Sequence, residues 1–173
     1  MRTIRRTLEV LLAATVMLLT SVVPAAHAAV DQVCVLNEVI VYSPPLTNTP
    51  QTVTFTVNGQ LFNCTSGSAS TGSYSETGTA SNATCTSVLS AGSGTRIFHW
   101  TNTAIAPSAF SYNRTVSRIG GNIVVVAEGS IISGTFTPDP AKSVGLGAQP
   151  NPVACTTTGV PQLTAAGTLT IGI

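Results

Sequence analysis

The chain has 173 residues, a formal net charge of +1, and 43% hydrophobic but only 8% charged residues. Three of its seven basic residues stand in the first six positions. Beyond residue 28 the balance is therefore Arg96, Arg114, Arg118 and Lys142 against Asp31, Glu38, Glu76, Glu128 and Asp139, far below the usual quarter of charged residues. Such a surface offers no basic patch for a phosphate backbone and no cationic amphipathic helix for a lipid surface, so it disfavours nucleic acid and membrane-surface partners.

The N-terminus reads as a secretory signal peptide over residues 1–28. Arg2, Arg5 and Arg6 form its positive region, Val10 to Val23 its apolar region, and Ala26-His27-Ala28 a small-residue cleavage site. The apolar run is 14 residues long, short of the roughly 20 that span a bilayer. Arg5-Arg6 raises the twin-arginine route, but Glu9 follows closely, and the general secretory route is expected. Residues 29–173 then form a single domain, secreted or extracellular, with no membrane span.

Along this domain, alternating and β-branched runs recur between Gly, Pro, Asn and Ser clusters, and no segment sustains a helical period. Cys34 to Tyr42 is the first predicted strand, stopped by Pro44-Pro45. Gln51 to Val57 alternates Val53, Phe55 and Val57 with Thr52, Thr54 and Thr56. Asn58-Gly59 reads as a two-residue hairpin turn returning through Gln60 to Thr65. That register pairs Phe55 with Phe62 and Val53 with Cys64, and turns Cys64 toward the core.

Residues 66–84 are polar and Gly-rich and are read as a loop or short hairpin. Arg96 to Thr101 places Phe98 and Trp100 on one face, with His99 on the other. Ala109 to Ile119 places Phe110, Tyr112 and Val116 on one face, and Gly120-Gly121-Asn122 turns the chain. Ile123 to Ala127 and Ser130 to Thr137 are further strands. Residues 138–152, with four Pro, read as a long loop. Ala154 to Thr158 and Gly167 to Ile173 complete the set. No helix is required. The fold class is all-β, an antiparallel immunoglobulin-like sandwich of about eight or nine strands, with a closed barrel as the alternative.

The four cysteines, Cys34, Cys64, Cys85 and Cys155, form an even set in an exported chain and read as two disulfides. Their separations of 30, 21 and 70 residues lack the short pairs of a zinc site. Three pairings are open. The favoured one joins Cys64 to Cys85 across the polar loop and Cys34 to Cys155.

Chemistry is sparse. His99 is the only histidine beyond residue 28, and no nucleophile elbow is present. Glu38 and Glu128 are the acids inside predicted strands, and both read as solvent-facing. Trp100 is the one large aromatic that could meet a ligand, with His99 beside it, although a lone Trp in a β-strand is more often core. Three N-glycosylation sequons, at Asn63, Asn82 and Asn113, carry no weight in a chain so rich in Thr and Asn. No enzyme, cofactor or metal site is expected.

The run SPPLTNTPQTVTFTVNGQLFNCT, the strand FHWTN, and the final Cys followed by TTTGV resemble a group of largely uncharacterised secreted actinobacterial proteins. The resemblance covers most of residues 29–173. It implies an exported, disulfide-bonded, immunoglobulin-like sandwich and carries no catalytic residue. Composition is also similar to that of the enediyne-carrying apoproteins of the neocarzinostatin type, whose cysteine spacings differ. The actinobacterial subtilisin inhibitors share two disulfides, but their reactive-loop motif is absent here.

The first functional expectation is a non-enzymatic extracellular or cell-envelope protein with an interaction or structural role, its partner an extracellular protein, a glycan or a small molecule. The second is a small-molecule carrier with a cleft near Trp100. The third is a protease inhibitor presenting loop 138–152.

Overall fold

The computed structural model describes residues 29–87 and 91–172; the signal peptide predicted over residues 1–28 lies outside them. Eight antiparallel strands follow one another: β1 (Gln32–Leu46), β2 (Gln51–Phe62), β3 (Gly72–Ala83), β4 (Gly92–Trp100), β5 (Ser108–Ile119), β6 (Asn122–Ser133), β7 (Pro140–Ala148) and β8 (Val160–Ile171). Each pairs with its neighbours in sequence, and β1 pairs with β8 from Gln32↔Ile171 to Val41↔Gln162. The sheet is therefore a closed up-and-down barrel.

This corrects the immunoglobulin-like sandwich. A sandwich needs two sheets with a core between them; here β1 is paired along both edges and one sheet encloses its own core. Both architectures show the same period-2 alternation. The discriminating feature is strand length, 9 to 15 residues here.

Several predicted breaks lie inside strands. β1 continues through Pro44-Pro45. Asn58-Gly59 is not a turn: β2 runs straight through it, and Gly59 pairs with Tyr74 of β3. A Cβ at Gly59 would lie 2.1 Å from the Tyr74 ring, so the glycine is there to receive that ring. Phe55 over Gly78 and Tyr112 beside Gly94 repeat the arrangement between register partners. Without the hairpin, Leu61 rather than Phe62 faces inward. β3 occupies most of the predicted polar loop. β7 occupies the predicted loop 138–152 and is paired along both edges, which removes the loop on which the inhibitor expectation rested.

The Gly120-Gly121 turn is as expected, with φ of 56° and 81°. Among the described residues there is one short α-helix, α1 (Pro152–Thr156), where a strand was predicted. Asn151 caps it by accepting from the Val153 and Ala154 amides, and Pro152 supplies a pre-set first turn.

The disulfides are Cys34–Cys64 and Cys85–Cys155, not the favoured pairing. Val35 pairs with Phe62, so Cys64 leaves β2 beside Cys34. β3 then carries the chain the length of the barrel, about 36 Å at 3.3 Å per residue. Cys85 thus emerges at the other end, beside α1.

The end holding Gln32 and Trp100 is here called the lower end. It is filled by Leu36, Leu61, Ile131, Leu169 and Ile171 around an aromatic group. Phe98 stacks on Phe110 at 5.8 Å, and Trp100 meets Phe136 at 5.7 Å. Gln32, fully buried, ties down the β2–β3 connection by donating to Ala69 O and accepting from Ser66 N, each at 2.8 Å.

One seam is incomplete. β3 and β4 pair only at Gly72↔Trp100 and Ser73↔His99. Above these they part, leaving a groove of about 1080 Å³, its mouth included, edged by Thr77, Thr79, Ser81, Ser93 and Thr95.

Candidate functional site

Neither aromatic candidate reaches a cavity. Trp100 is buried, and its Nε1–H donates to Ser108 Oγ at 2.9 Å. His99, next along β4, points to the outside. The two candidate acids also separate. Glu128 is on the outer face, 2.6 Å from Lys142 Nζ. Glu38, expected to face solvent, points into the barrel and is 9% exposed.

Around Glu38 lies a layer of polar side chains that cuts the interior in two. Arg96 Nη1 donates to Glu38 Oε1 at 3.2 Å and to Tyr74 Oη at 2.9 Å. Its Nε donates to Glu76 Oε2 at 3.2 Å. The Tyr74 hydroxyl donates to Glu38 Oε1, and that of Tyr112 to Glu76 Oε1. The guanidinium carbon lies 4.2 Å from the Tyr74 ring centroid and 5.2 Å from that of Tyr112.

Burial opposes the charge on Arg96, but Tyr74, Glu38 and Glu76 outweigh it, and the pKa rises above its ordinary value. Burial pushes the Tyr74 phenol well up. Burial and the hydrogen bond to Glu76 hold Tyr112 at about 12. Arg96, Tyr74, Glu76 and Tyr112 were not singled out from the sequence. The available signal was alternation: Arg96 shares a face with Phe98 and Trp100, and Glu38 with Leu36 and Ile40.

Above this layer one side of the barrel is filled by Tyr42, Leu46, Val53 and Val160 beside α1, and the other side is hollow. Ile40, Val57, Ile123, Val125 and Leu163 wall a slot, Gly145 and Gly147 contribute no side chain, and Glu38, Arg96 and Ser143 form its floor. The hollow measures about 610 Å³ with its mouth included, and its walls stand close together. The narrow space between the walls suits a slim body rather than a bulky one. The seam groove has more room, but that room is open to solvent and lined mainly by hydroxyls and glycine. Arg114 borders both.

Tyr42, one inward position above Ile40, is buried, and its hydroxyl has no hydrogen-bond partner among the described residues. Burial raises its pKa well above the ordinary phenol value. An unpaired buried hydroxyl costs about 1–3 kcal/mol. Tyr42→Phe is therefore expected to raise the melting temperature by a few degrees; a fall on thermal unfolding would show that the hydroxyl is bonded in solution.

Fold and site together define an eight-stranded up-and-down barrel with a polar layer across its middle and a slot above it. Among the described residues, no three His, Cys, Asp or Glu side chains gather to hold a metal ion, and no helix is long and apolar enough to cross a membrane. No protein-family model, curated protein or solved structure matches the chain significantly.

Proposed function

We propose that this is an exported, non-enzymatic barrel that holds a slim, mainly apolar small molecule in the upper half of its interior. The observation that carries the reading is the contrast between the two halves. The lower half is packed with aromatic and aliphatic side chains, as a purely structural barrel would be throughout. In the upper half, Tyr42, Leu46, Val53 and Val160 pack the side next to α1, but the space enclosed mainly by β6, β7 and β8 is walled by aliphatic side chains and glycine and is left open.

Export is supported by the N-terminal sequence and by both disulfides. A water-facing exterior is supported by Thr52, Thr54, Ser75, Thr77 and Thr79 on the outer faces of β2 and β3. Val35, Val39, Val41, Ile97 and Leu146 are also exposed on the outer face, but a lipid-facing barrel would add girdles of aromatic residues, and the strand aromatics here point inward, Phe62 excepted.

The test is native mass spectrometry of the protein taken from the medium of its producing organism, without organic solvent. A bound small molecule, released on activation, is the expected result. Bare protein that also takes up no added aliphatic probe would overturn the reading.

A second reading, an interaction module, is favoured by the β3–β4 seam. Its two parted strand edges could accept an extended segment of another extracellular protein.

A further inference from the structure

Two polar groups that line the slot, on β1 and β7, make no hydrogen bond to each other. Glu38 Oε1 is occupied by Tyr74 and Arg96. No described residue donates to Oε2. This oxygen faces Gly145 and would lie 3.4 Å from a Cβ placed there. Ser143, one inward position below Gly145 on β7, is 5% exposed, and its hydroxyl has no partner among the described residues. Neither oxygen is sealed off: among the described residues only the Tyr42 hydroxyl is both fully buried and unpartnered, so Oε2 and the Ser143 hydroxyl open onto the slot, where a bound donor can reach them. The absence of a side chain at Gly145 keeps the space in front of it open.

From this we infer that Glu38 anchors the bound molecule, and that this molecule carries a hydrogen-bond donor, an ammonium before a hydroxyl, at the end of a slim aliphatic body. The inference rests on the slot being the binding site. The preference for an ammonium rests on position: Arg96 and Arg114 together balance Glu38 and Glu76, but the group facing the open space at Gly145 is the Glu38 carboxylate oxygen. Ser143 can accept a second N–H or O–H from the same head group. Arg114, nearer the mouth, is the group a carboxylate-headed molecule would meet instead.

The experiment compares three six-carbon probes, n-hexylamine, 1-hexanol and hexanoate, by calorimetry at neutral pH with methyl NMR to locate them. The full disulfide-bonded protein is used as wild type, Glu38→Gln and Gly145→Ala. The expected order of affinity is hexylamine, hexanol, hexanoate. Glu38→Gln should weaken hexylamine by about 10- to 100-fold and hexanol by less. Gly145→Ala leaves the Glu38–Arg96–Tyr74 bonds in place but puts a methyl before Oε2. It should weaken both donor-headed probes, and it keeps the test open if Glu38→Gln unfolds.

Tightest binding by hexanoate, or hexylamine binding indifferent to both variants, would overturn the inference. Equal binding of all three in the slot would remove the head-group inference and leave the slot reading standing. No binding by any probe would remove both.

Discussion

Replacing Arg96 with methionine is expected to lower the unfolding free energy by about 3–5 kcal/mol, a large part of the 5–15 kcal/mol that holds a typical domain. The side chain is 6% exposed and makes charged hydrogen bonds to Glu38 and Glu76. Methionine fills similar volume, so a cavity is not the main effect. The cost comes from two carboxylates left inside the barrel without their cation. The same logic predicts partial recovery in the variant that adds Glu38→Gln and Glu76→Gln, because neutral amides no longer need it. Urea unfolding of single and combined variants measures this coupling.

The layer also sets an alkaline limit. The folded state holds the Tyr112 proton up to about pH 12, above the ordinary phenol value near 10. A group whose folded pKa is raised contributes its full stability below the unfolded value. That contribution is then lost as pH rises from about 10 through about 12.

Removing the Cys85–Cys155 bridge, by serine at both positions, is expected to cost up to about 4.4 kcal/mol on the chain-entropy account, against about 3.6 kcal/mol for Cys34–Cys64. The longer loop spans 70 residues rather than 30, and the loop-closure penalty grows only with the logarithm of that length. Position matters as well. Cys155 lies in α1, and its partner Cys85 follows β3 at the end that carries the slot. Urea midpoints should fall for both variants, with slot binding weakened more by loss of Cys85–Cys155. A larger fall for the 30-residue bridge would show that native packing, not loop closure, sets the ranking.

The all-β class, the inward face of β5 and the Gly120-Gly121 turn were legible in the sequence because alternation and turn chemistry are local. What was lost depended on distant partners. Gly59 looks like a turn residue until Tyr74, fifteen positions on, is seen lying over it. β3 looks like linker because its inward positions, Gly72, Tyr74, Glu76 and Gly78, are either polar or empty, each completed by an aromatic or charged group from another strand. The disulfide pairing failed for the same reason, since an unrecognised strand moved Cys85 to the opposite end.

The candidate site fared similarly. Its chemistry was present as isolated charges, and Glu38 and Arg96 shared faces with apolar residues. Reading them as buried, however, required knowing that the sheet closes. Trp100 attracted attention by size, and it belongs to the filled half.

The account turns on the division of the interior at the Arg96 layer. Titration of the methyl-labelled protein with 1-hexanol tests it most directly. The prediction is that signals of Ile40, Val57, Ile123, Val125 and Leu163 move while those of Leu36, Leu61, Ile131, Leu169 and Ile171 stay fixed. Movement in the second group, or shifts confined to outward residues such as Val35, Val39 and Leu146, would contradict it.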